Sequence, residues 1–502
     1  MMAMVFREVG LMAEAVECLK TLQALIPGHL QARSSESFEK RHLFQWDDLP
    51  EDLAALAGML EACDPTEPRA STCFALLSLP LQPELVLKAA RMDAACYRLG
   101  VTPLAAVDPS ERAGRPLRVA YVSSDFREHP VAQLMVEVLE RRARGEVHTT
   151  LYDHGGDSDA PVRARLRACA DAFVSLDGLS DRDAAQRIRD DGIDVLVDLQ
   201  GHTRNHRLRI FAFRPAPVQV TYLGFPGSTG DPSIDYLIGD PFVTPAPLAD
   251  LYTEKIAQLP TCFQPNGRWR PLPAAMTRAE AGLPEDAFVL CAFNHTYKIL
   301  PHAFDAWCEV LHAVPRAVLW LKETNAQLHA NVLRELRLRG LDASRVCFAR
   351  HVPFAQHFSR LALADVFVDT WPYNAHTTAA DALWAGVPVV TVYGNSYASR
   401  VAASVLNAAG LPELALTNAA DYVRAIVTLA SDVDLLASIR DHLDAHRMTL
   451  PLFDAATRAA ELDALYRQMK SRWLEGLAPD HLWAGSVHDE AAAPSQQVAL
   501  AA

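Results

Sequence analysis

The stretch from Asp369 to Val392 holds the residues of this 502-residue chain best suited to bind an anion. Its letters, DTWPYNAHTTAADALWAGVPVVTV, predict a buried strand, a short turn, a helix that opens at His376-Thr377-Thr378, and a second strand. A helix that begins directly after a strand presents free N–H groups and a partial positive charge to the cleft above the sheet, and phosphate binds there. Asp381 lies on the same helix face, where a carboxylate can accept from sugar hydroxyls. The stretch therefore predicts a nucleotide site, although a pair of threonines at a helix start also serves as an ordinary N-cap.

Other polar residues follow other predicted strands. His129 lies in the loop after LRVAYVS, His295 and Lys298 follow FVLCAFN, and His357 follows VCFARH. Because ligands of doubly wound folds bind at the carboxyl ends of the strands, we expect these residues to line one cleft.

Two series of alternating strands and helices carry these residues. The first begins at Leu117 with LRVAYVS, HTTLYDH, AFVSL, IDVLVDL and VQVTYL; the second, after a proline-rich connector, contains FVLCAFN, AVLWLK, VCFARH, DVFVDT and VPVVTV. Near-continuous apolar strands separated by helices predict parallel sheets covered on both faces. The pattern predicts an α/β protein with one doubly wound domain at 115–270 and another at 285–475.

The remaining segments are predicted to be helical or disordered. Residues 1–102 are predicted to be helical, and FREVGLMAEAVECLKTLQALIPGHLQAR is typical of the back half of a tetratricopeptide repeat, with Gly10 at the turn and Pro27 after the second helix. Because a single repeat cannot bury its own apolar face, we expect it to pack on the next helices or on further repeats. Residues 476–502 are rich in Ala, Ser and Gln and are predicted to be disordered.

Composition narrows the class of protein. A net charge of −14 argues against a general nucleic-acid binder, and no apolar run reaches membrane-spanning length. Nine cysteines occur singly, and the first residues lack the features of a signal peptide, which together predict a cytoplasmic protein with reduced thiols. The sequence Asp157-Ser158-Asp159 is similar to a metal-binding D-x-D, but no other feature indicates a metal, and we expect a solvated turn.

From about Arg118 to Met469 the chain resembles the catalytic region of the protein O-GlcNAc transferase family, which includes SPINDLY-type protein O-fucosyltransferases. The stretches that carry the resemblance are YVSSDFREHP, FRPAPVQVTYLGFPGSTG, DYLIGDPFVTP, FNHTYKI, LADVFVDTWPYNAHTTAADALWAGVPVVT and SRVAASVL. The resemblance implies a GT-B fold of two Rossmann-like domains, preceded by a short all-α tetratricopeptide-like region. It also implies transfer of a sugar from a nucleotide diphosphate to Ser or Thr hydroxyls of proteins, with inversion and without a metal or other cofactor.

The resemblance also implies roles for single residues in binding the nucleotide sugar. Lys298 corresponds to a lysine on the diphosphate, where an ammonium stabilises charge on the leaving group. The other corresponding positions are His376, Thr377 and Thr378 in the diphosphate turn, Asp381 on the ribose, His357 near the base, and the backbone of Val352 at the uracil edge.

Three positions need separate comment. His129 corresponds to the active-site histidine close to the sugar and the acceptor, and its role as the general base is left open. His295 stands where the animal enzymes have a glutamine on the diphosphate, and an imidazole can also donate one hydrogen bond there. Phe354 stands where they have a lysine beside the base, and an aromatic ring can stack instead.

The motifs favour UDP-GlcNAc as the donor and protein Ser and Thr residues as the acceptors. The nearest alternative is a GDP-fucose-dependent enzyme of the SPINDLY type. A non-catalytic scaffold built from the helical region and the two lobes is another, and intact Lys298 and HTT count against it. A nucleotide-sugar epimerase fits the fold but not these motifs. Neither the acceptor protein nor the oligomeric state follows from the sequence.

Overall fold

The computed structural model describes residues 2–143, 145–323 and 325–484, which form a helical region followed by two lobes. Each lobe contains one parallel sheet with helices on its faces. Among these residues no helix combines the length and the apolar character that a membrane-crossing segment requires.

The helical region contains six helices. They are α1 (Met2–Glu8), α2 (Met12–Leu25), α3 (Leu30–His42), α4 (Leu49–Ala62), α5 (Cys73–Leu76) and α6 (Pro83–Arg98). Gly10 has a φ of +81° in the turn between α1 and α2, a conformation that favours glycine. Helix α2 packs against both α1 and α3. The predicted helix–turn–helix is present, and its assignment to a tetratricopeptide repeat stays a prediction.

The first lobe is built on a seven-stranded parallel sheet in the order β3-β2-β1-β4-β5-β6-β7. Its strands are β1 (Leu117–Ser123), β2 (Val147–Asp153), β3 (Ala172–Ser175), β4 (Val195–Asp198), β5 (Val218–Thr221), β6 (Tyr236–Gly239) and β7 (Lys255–Gln258). Its helices are α7 (Pro130–Arg141), α8 (Pro161–Cys169), α9 (Asp181–Asp190) and α10 (Arg209–Ala212). Every residue of β4 and β5 is buried, as expected for central strands of a sheet covered on both faces.

The second lobe has a six-stranded parallel sheet in the order β10-β9-β8-β11-β12-β13. Its strands are β8 (Phe288–Ala292), β9 (Ala317–Lys322), β10 (Val346–Ala349), β11 (Val366–Val368), β12 (Val389–Val392) and β13 (Ala415–Leu416). The later helices are α11 (Pro301–Ala313), α12 (Ala326–Leu338), α13 (Phe354–Leu361), α14 (Thr377–Trp384), α15 (Val401–Ala408), α16 (Ala419–Ser431), α17 (Val433–His446) and α18 (Ala455–Leu474). Short 3₁₀ helices occupy Pro109–Glu111, Ala246–Leu251, Thr296–Lys298, Ala343–Arg345, Tyr397–Ser399, Pro412–Leu414 and Pro451–Phe453.

All ten predicted strands are present, within a few residues of their predicted ends. Strands β6, β7 and β13 were not predicted. Strand β13 has only two residues, and β7 has only two apolar residues, between Lys255 and Gln258, so neither forms an apolar run that stands out from its flanks.

One hydrophobic core runs through the helical region and both lobes. The ring of Phe74 on α5 lies 6.5 Å from that of Phe225 in the first lobe and 6.4 Å from that of Tyr373 in the second, centroid to centroid. Phe44, just after α3, packs edge-on against Phe304 of α11 at 5.7 Å. The helical region therefore joins the two lobes instead of standing apart from them.

The chain returns to the first lobe at its C-terminal end. Helix α18 packs on α7, the Nζ of Lys470 donates to Asp194 at 2.9 Å, and Leu482 forms a parallel bridge with Ala257 of β7. Two predicted boundaries are thereby corrected. Residues 455–475 pack with the first lobe rather than with the domain predicted at 285–475, and the predicted disordered tail is ordered through 484, while its remainder lies outside the described residues.

We predict that Lys470→Met lowers the free energy of unfolding by about 2 kcal/mol, because it removes a charged hydrogen bond to a carboxylate that is 0% exposed. Urea denaturation followed by circular dichroism measures the change. Lys20→Met is the matched control: Lys20 pairs with Glu17 on the surface, and we expect less than about 1 kcal/mol there. Equal effects of the two variants would contradict the packing described for α18.

Candidate active site

Three loops meet at the carboxyl edge of the second sheet, and they carry most of the predicted site residues. The loop after β8 carries His295 and Lys298, and the loop after β11 leads to His376 at the start of α14. Strands β8 and β11 are neighbours where the strand order reverses, which is where ligands bind in doubly wound sheets. The loop after β10 leads to His357 on α13. His295, Lys298, His357 and His376 thus follow strands of one sheet, and the lining of a single cleft by these residues and His129 stays a prediction.

The N-terminus of α14 is open toward this edge. The backbone N–H groups of Thr377 and Thr378 donate to no acceptor within the part of the chain that the structure describes, as is usual for the first turn of a helix. The hydroxyl of Thr378 donates to Oδ1 of Asn294 at 3.0 Å, which fixes its position. Burial, and next the charge of Lys298, holds the pKa of His376 well below its usual value, so its imidazole is neutral. The turn therefore offers neutral donors and a helix dipole to an anion.

Lys298 is buried beside this turn. Its Nζ donates to the backbone oxygen of Asn374 at 2.9 Å and lies 3.8 Å from the ring centroid of Tyr373. Burial lowers the pKa of Lys298 to about 7, against the opposing effect of Asp369. A bound phosphate would favour the charged ammonium and would therefore raise the pKa of this lysine.

Asp369 organises the pocket, and the sequence identified it only as the end of a strand. Its Oδ1 accepts from the backbone of Thr370 at 2.7 Å, from the backbone of Ala375 at 2.6 Å and from Nδ2 of Asn294 at 2.9 Å. Its Oδ2 accepts from Thr391 at 2.6 Å. A single buried carboxylate thus ties the end of β11 to the turn before α14 and to β12.

The cleft is electropositive around two further histidines. Nδ1 of His357 accepts from both Nε and Nη2 of Arg360, at 3.2 and 3.0 Å. Desolvation, then Arg360 and Lys322, lowers the pKa of His357 to about 3. Desolvation, then Lys322 and Lys298, lowers the pKa of His295 to about 4, even though the ring of His295 also reaches solvent. Lys322 and Arg360, which the sequence did not single out, concentrate positive charge where an anionic ligand would neutralise it.

The region predicted to hold the base lies before and within α13. Neither the N–H nor the C=O of Val352 is hydrogen-bonded to a residue that the structure describes, so both remain free for a ligand. Phe354 stacks on Trp269 of the connector, with ring centroids 5.6 Å apart and an angle of 15° between the planes. The aromatic ring therefore packs on another part of this protein, and its stacking on a base stays a prediction.

Asp381 is buried on α14 and is already paired. Its Oδ1 accepts from Nε of Arg270 at 2.8 Å, whereas its Oδ2 accepts from no described residue. Burial raises the pKa of Asp381, and Arg270 opposes this effect. One carboxylate oxygen is therefore left for the predicted contact with a ribose. The pairing with Arg270 was not predicted from the sequence.

His129 lies at the carboxyl edge of the first sheet, at the N-cap of α7. Its Nδ1 accepts from the backbone N–H of Val131 at 3.3 Å, and Asp125 lies 3.6 Å away. Burial lowers the pKa of His129 more than Asp125 raises it, which favours the neutral ring. With Nδ1 as an acceptor, the proton of the neutral ring is on Nε2, so this ring presents a donor to the cleft. The role of His129 as the general base stays a prediction.

Asp198, at the end of β4, has a structural role. Its Oδ1 accepts from the backbone of Gln200, and its Oδ2 from the backbone of Gly201 and from the hydroxyl of Thr221, at 3.1, 2.7 and 3.0 Å. These bonds hold the loop that follows β4. Burial nevertheless raises the pKa of Asp198 to about 6.

Comparisons with known proteins show the family to which the chain belongs. Residues 98–268 and 270–462 match the family model of glycosyl transferase family 41. The Arabidopsis thaliana protein named probable UDP-N-acetylglucosamine–peptide N-acetylglucosaminyltransferase SEC is 35% identical over 424 residues, which are 81% of this chain and 43% of the relative. The Caenorhabditis elegans protein named UDP-N-acetylglucosamine–peptide N-acetylglucosaminyltransferase is 30% identical, over 76% of this chain and 43% of its own.

A solved structure has a fold similar to that of this chain. A variant of the Thermobaculum terrenum O-GlcNAc transferase is 31% identical, with a TM-score of 0.81, and the match covers 94% of this chain and 90% of that one. The predicted α/β, GT-B arrangement is thereby confirmed. This chain spans less than half the length of the two curated relatives described above. The chain belongs to glycosyl transferase family 41, because the family model covers most of its sequence and the fold has two parallel sheets with polar loops at their carboxyl edges.

Proposed function

We propose that this chain transfers N-acetylglucosamine from UDP-GlcNAc to Ser or Thr hydroxyls of proteins, with inversion at the anomeric carbon and without a metal ion. The observation that carries the proposal is the grouping of Lys298, the open N-terminus of α14 and the free oxygen of Asp381 at one sheet edge. Membership of the family supports a sugar donor, and the names of the relatives support this nucleotide and a protein acceptor.

The chemistry requires stabilisation of the charge that grows on the leaving diphosphate. In the proposed reaction the acceptor oxygen attacks the anomeric carbon as the bond to the β-phosphate oxygen breaks, and UDP leaves. The ammonium of Lys298 and the N–H groups of Thr377 and Thr378 are placed to stabilise that charge without reorganisation. These donors perform the role that a metal ion has in other transferases, and they support the proposed metal independence.

Calorimetric titration of the purified chain with UDP and with GDP, in the presence of EDTA, tests the site. We expect UDP to bind at least about tenfold more tightly than GDP, because a pocket built to hydrogen-bond one base leaves its polar groups unpaired with another. Incubation with UDP-GlcNAc and a mixture of candidate acceptor proteins should then add N-acetylglucosamine to Ser or Thr. NMR of the released glycopeptide should show a β-linkage, the inverted configuration.

Each of the other outcomes would support a different function for this chain. Preference for GDP would favour the fucosyltransferase alternative, and binding of neither nucleotide would favour a scaffold. A free, altered sugar as the product would favour an epimerase, and loss of UDP binding in EDTA would contradict the proposed metal independence. The nine singly spaced cysteines support a cytoplasmic location.

A further inference from the structure

An ion pair joins the connector between the lobes to the carboxylate proposed to contact the ribose. Arg270 belongs to the segment that links β7 to β8, is 5% exposed, and donates through Nε to Asp381 at 2.8 Å. Its Nη1 donates to the backbone oxygen of Gly267 at 2.9 Å, and its Nη2 donates to Oδ1 of Asn266 at 2.8 Å. With all three guanidinium nitrogens bonded in a buried setting, Arg270 is held in one geometry.

The connector that carries Arg270 is anchored on the first lobe. Glu137 of α7 accepts from the backbone N–H groups of Arg268 and Trp269 at 2.7 and 3.3 Å, and the indole of Trp269 donates to the backbone of Gln133 at 2.9 Å. A Cβ at Gly267 would lie 2.2 Å from Oε2 of Glu137 and 2.8 Å from Cδ1 of Trp269, so a larger residue there would force these side chains to shift. The position of Arg270 is thus fixed by contacts with α7, the helix whose N-cap is His129.

The same segment is anchored on the second lobe. Trp269 stacks on Phe354 of α13, and the indole of Trp384, at the end of α14, donates to the backbone of Pro271 at 3.0 Å. Arg270 therefore reaches Asp381 from a segment that is held on both sides of the cleft.

We infer that Arg270 is a positioning residue that orients the carboxylate of Asp381 so that its free Oδ2 reads the ribose hydroxyls of the nucleotide. The inference rests on the proposed function, because it requires a ribose at Asp381. A side-chain carboxylate can rotate, and a lone buried carboxylate favours its neutral form. By donating to Oδ1, Arg270 favours the charged form of the carboxylate and leaves one defined oxygen, Oδ2, for the ligand. Nucleotide selection in this chain then depends on the connector as well as on the second lobe.

The affinity ratio between UDP and 2′,3′-dideoxy-UDP tests this role, because the two ligands differ only in the ribose hydroxyls. In the unmodified chain we expect UDP to bind more than about tenfold more tightly than the dideoxy analogue, because hydrogen bonds to a charged group are strong. Arg270→Met should bring the ratio close to one by weakening UDP more than the dideoxy analogue. Arg270→Lys should restore part of the ratio, since it keeps the charge but not the planar fork. Asp381→Asn should reduce the ratio, and adding Arg270→Met to it should reduce the ratio no further.

Arg268→Met is the matched control, because the contact that Arg268 makes with Glu137 is through its backbone, and we expect an unchanged ratio. Asn266→Ala, which removes one partner of Arg270, provides a milder variant with a partly reduced ratio should Arg270→Met fail to fold. An equal loss of affinity for both ligands in Arg270→Met would overturn the inference and leave Arg270 with a role in packing alone. A ratio near one in the unmodified chain would instead contradict the proposed ribose site at Asp381.

Discussion

Replacing Lys298 with methionine is expected to lower the rate of sugar transfer by about 10²–10³-fold, the usual cost of removing one fixed donor from a developing oxyanion. The side chain of methionine occupies a similar volume, so the buried pocket around Asn374 and Tyr373 should keep its packing. Initial rates with UDP-GlcNAc at saturating donor measure the loss. Lys20→Met, a surface variant distant in sequence from the site, should leave the rate unchanged.

Binding of UDP should also take up a proton through the same lysine. Because burial lowers the pKa of Lys298 to about 7, most of the free protein carries a neutral amine at pH 8. The diphosphate favours the ammonium, so we expect uptake of close to one proton at pH 8 and a tenfold loss of affinity for each further pH unit, at about 1.4 kcal/mol per unit. Calorimetry in buffers of different ionisation enthalpy counts the protons. Uptake that persists in Lys298→Met would assign the proton to another group.

Replacing Asp369 with alanine is expected to lower the free energy of unfolding by about 3–5 kcal/mol, because it leaves several buried donors without their acceptor. Four hydrogen bonds end on this carboxylate, which is 0% exposed, and they join the end of β11 to the turn before α14. Urea denaturation measures the loss, and affinity for UDP should fall with it.

The exposed Asp421 provides the control for Asp369. It pairs with Arg424 on the surface of α16, so Asp421→Ala should cost less than about 1 kcal/mol. The loss of unfolding free energy in Asp369→Asn should lie between those in Asp369→Ala and Asp421→Ala. Asparagine keeps the shape of the side chain but loses its charge and one acceptor. A cost below about 1 kcal/mol for Asp369→Ala would show that the turn before α14 is held by other contacts.

The parts of the fold with strong local patterns were predictable from the sequence. Ten strands were visible as short apolar runs between helical segments, and most of them are buried, whereas β13 has only two residues and forms through its neighbour β12. The packing of α18 on the first lobe was not predictable, because an amphipathic helix shows which side is buried but not which lobe covers it.

The same distinction applies to the site. His376 and Lys298 could be predicted because they follow strands in one sheet, and strand ends converge. Arg270 could not, because the connector has no periodic pattern, and its contact with Asp381 spans 111 residues. Lys322 and Arg360 were missed for a related reason: a cation at the end of a strand or helix looks like any solvated surface residue until the loops around it are placed.

The return of α18 to the first lobe has a consequence for synthesis on the ribosome. Tyr466 meets Tyr121 across 345 residues, and Lys470 meets Asp194 across 276. Domains generally fold as units during translation, N-terminal ones first. Here the face of the first sheet beneath α18 has no cover until every strand of the second lobe has been translated. The first lobe therefore cannot complete its fold before the strands of the second lobe have been synthesised.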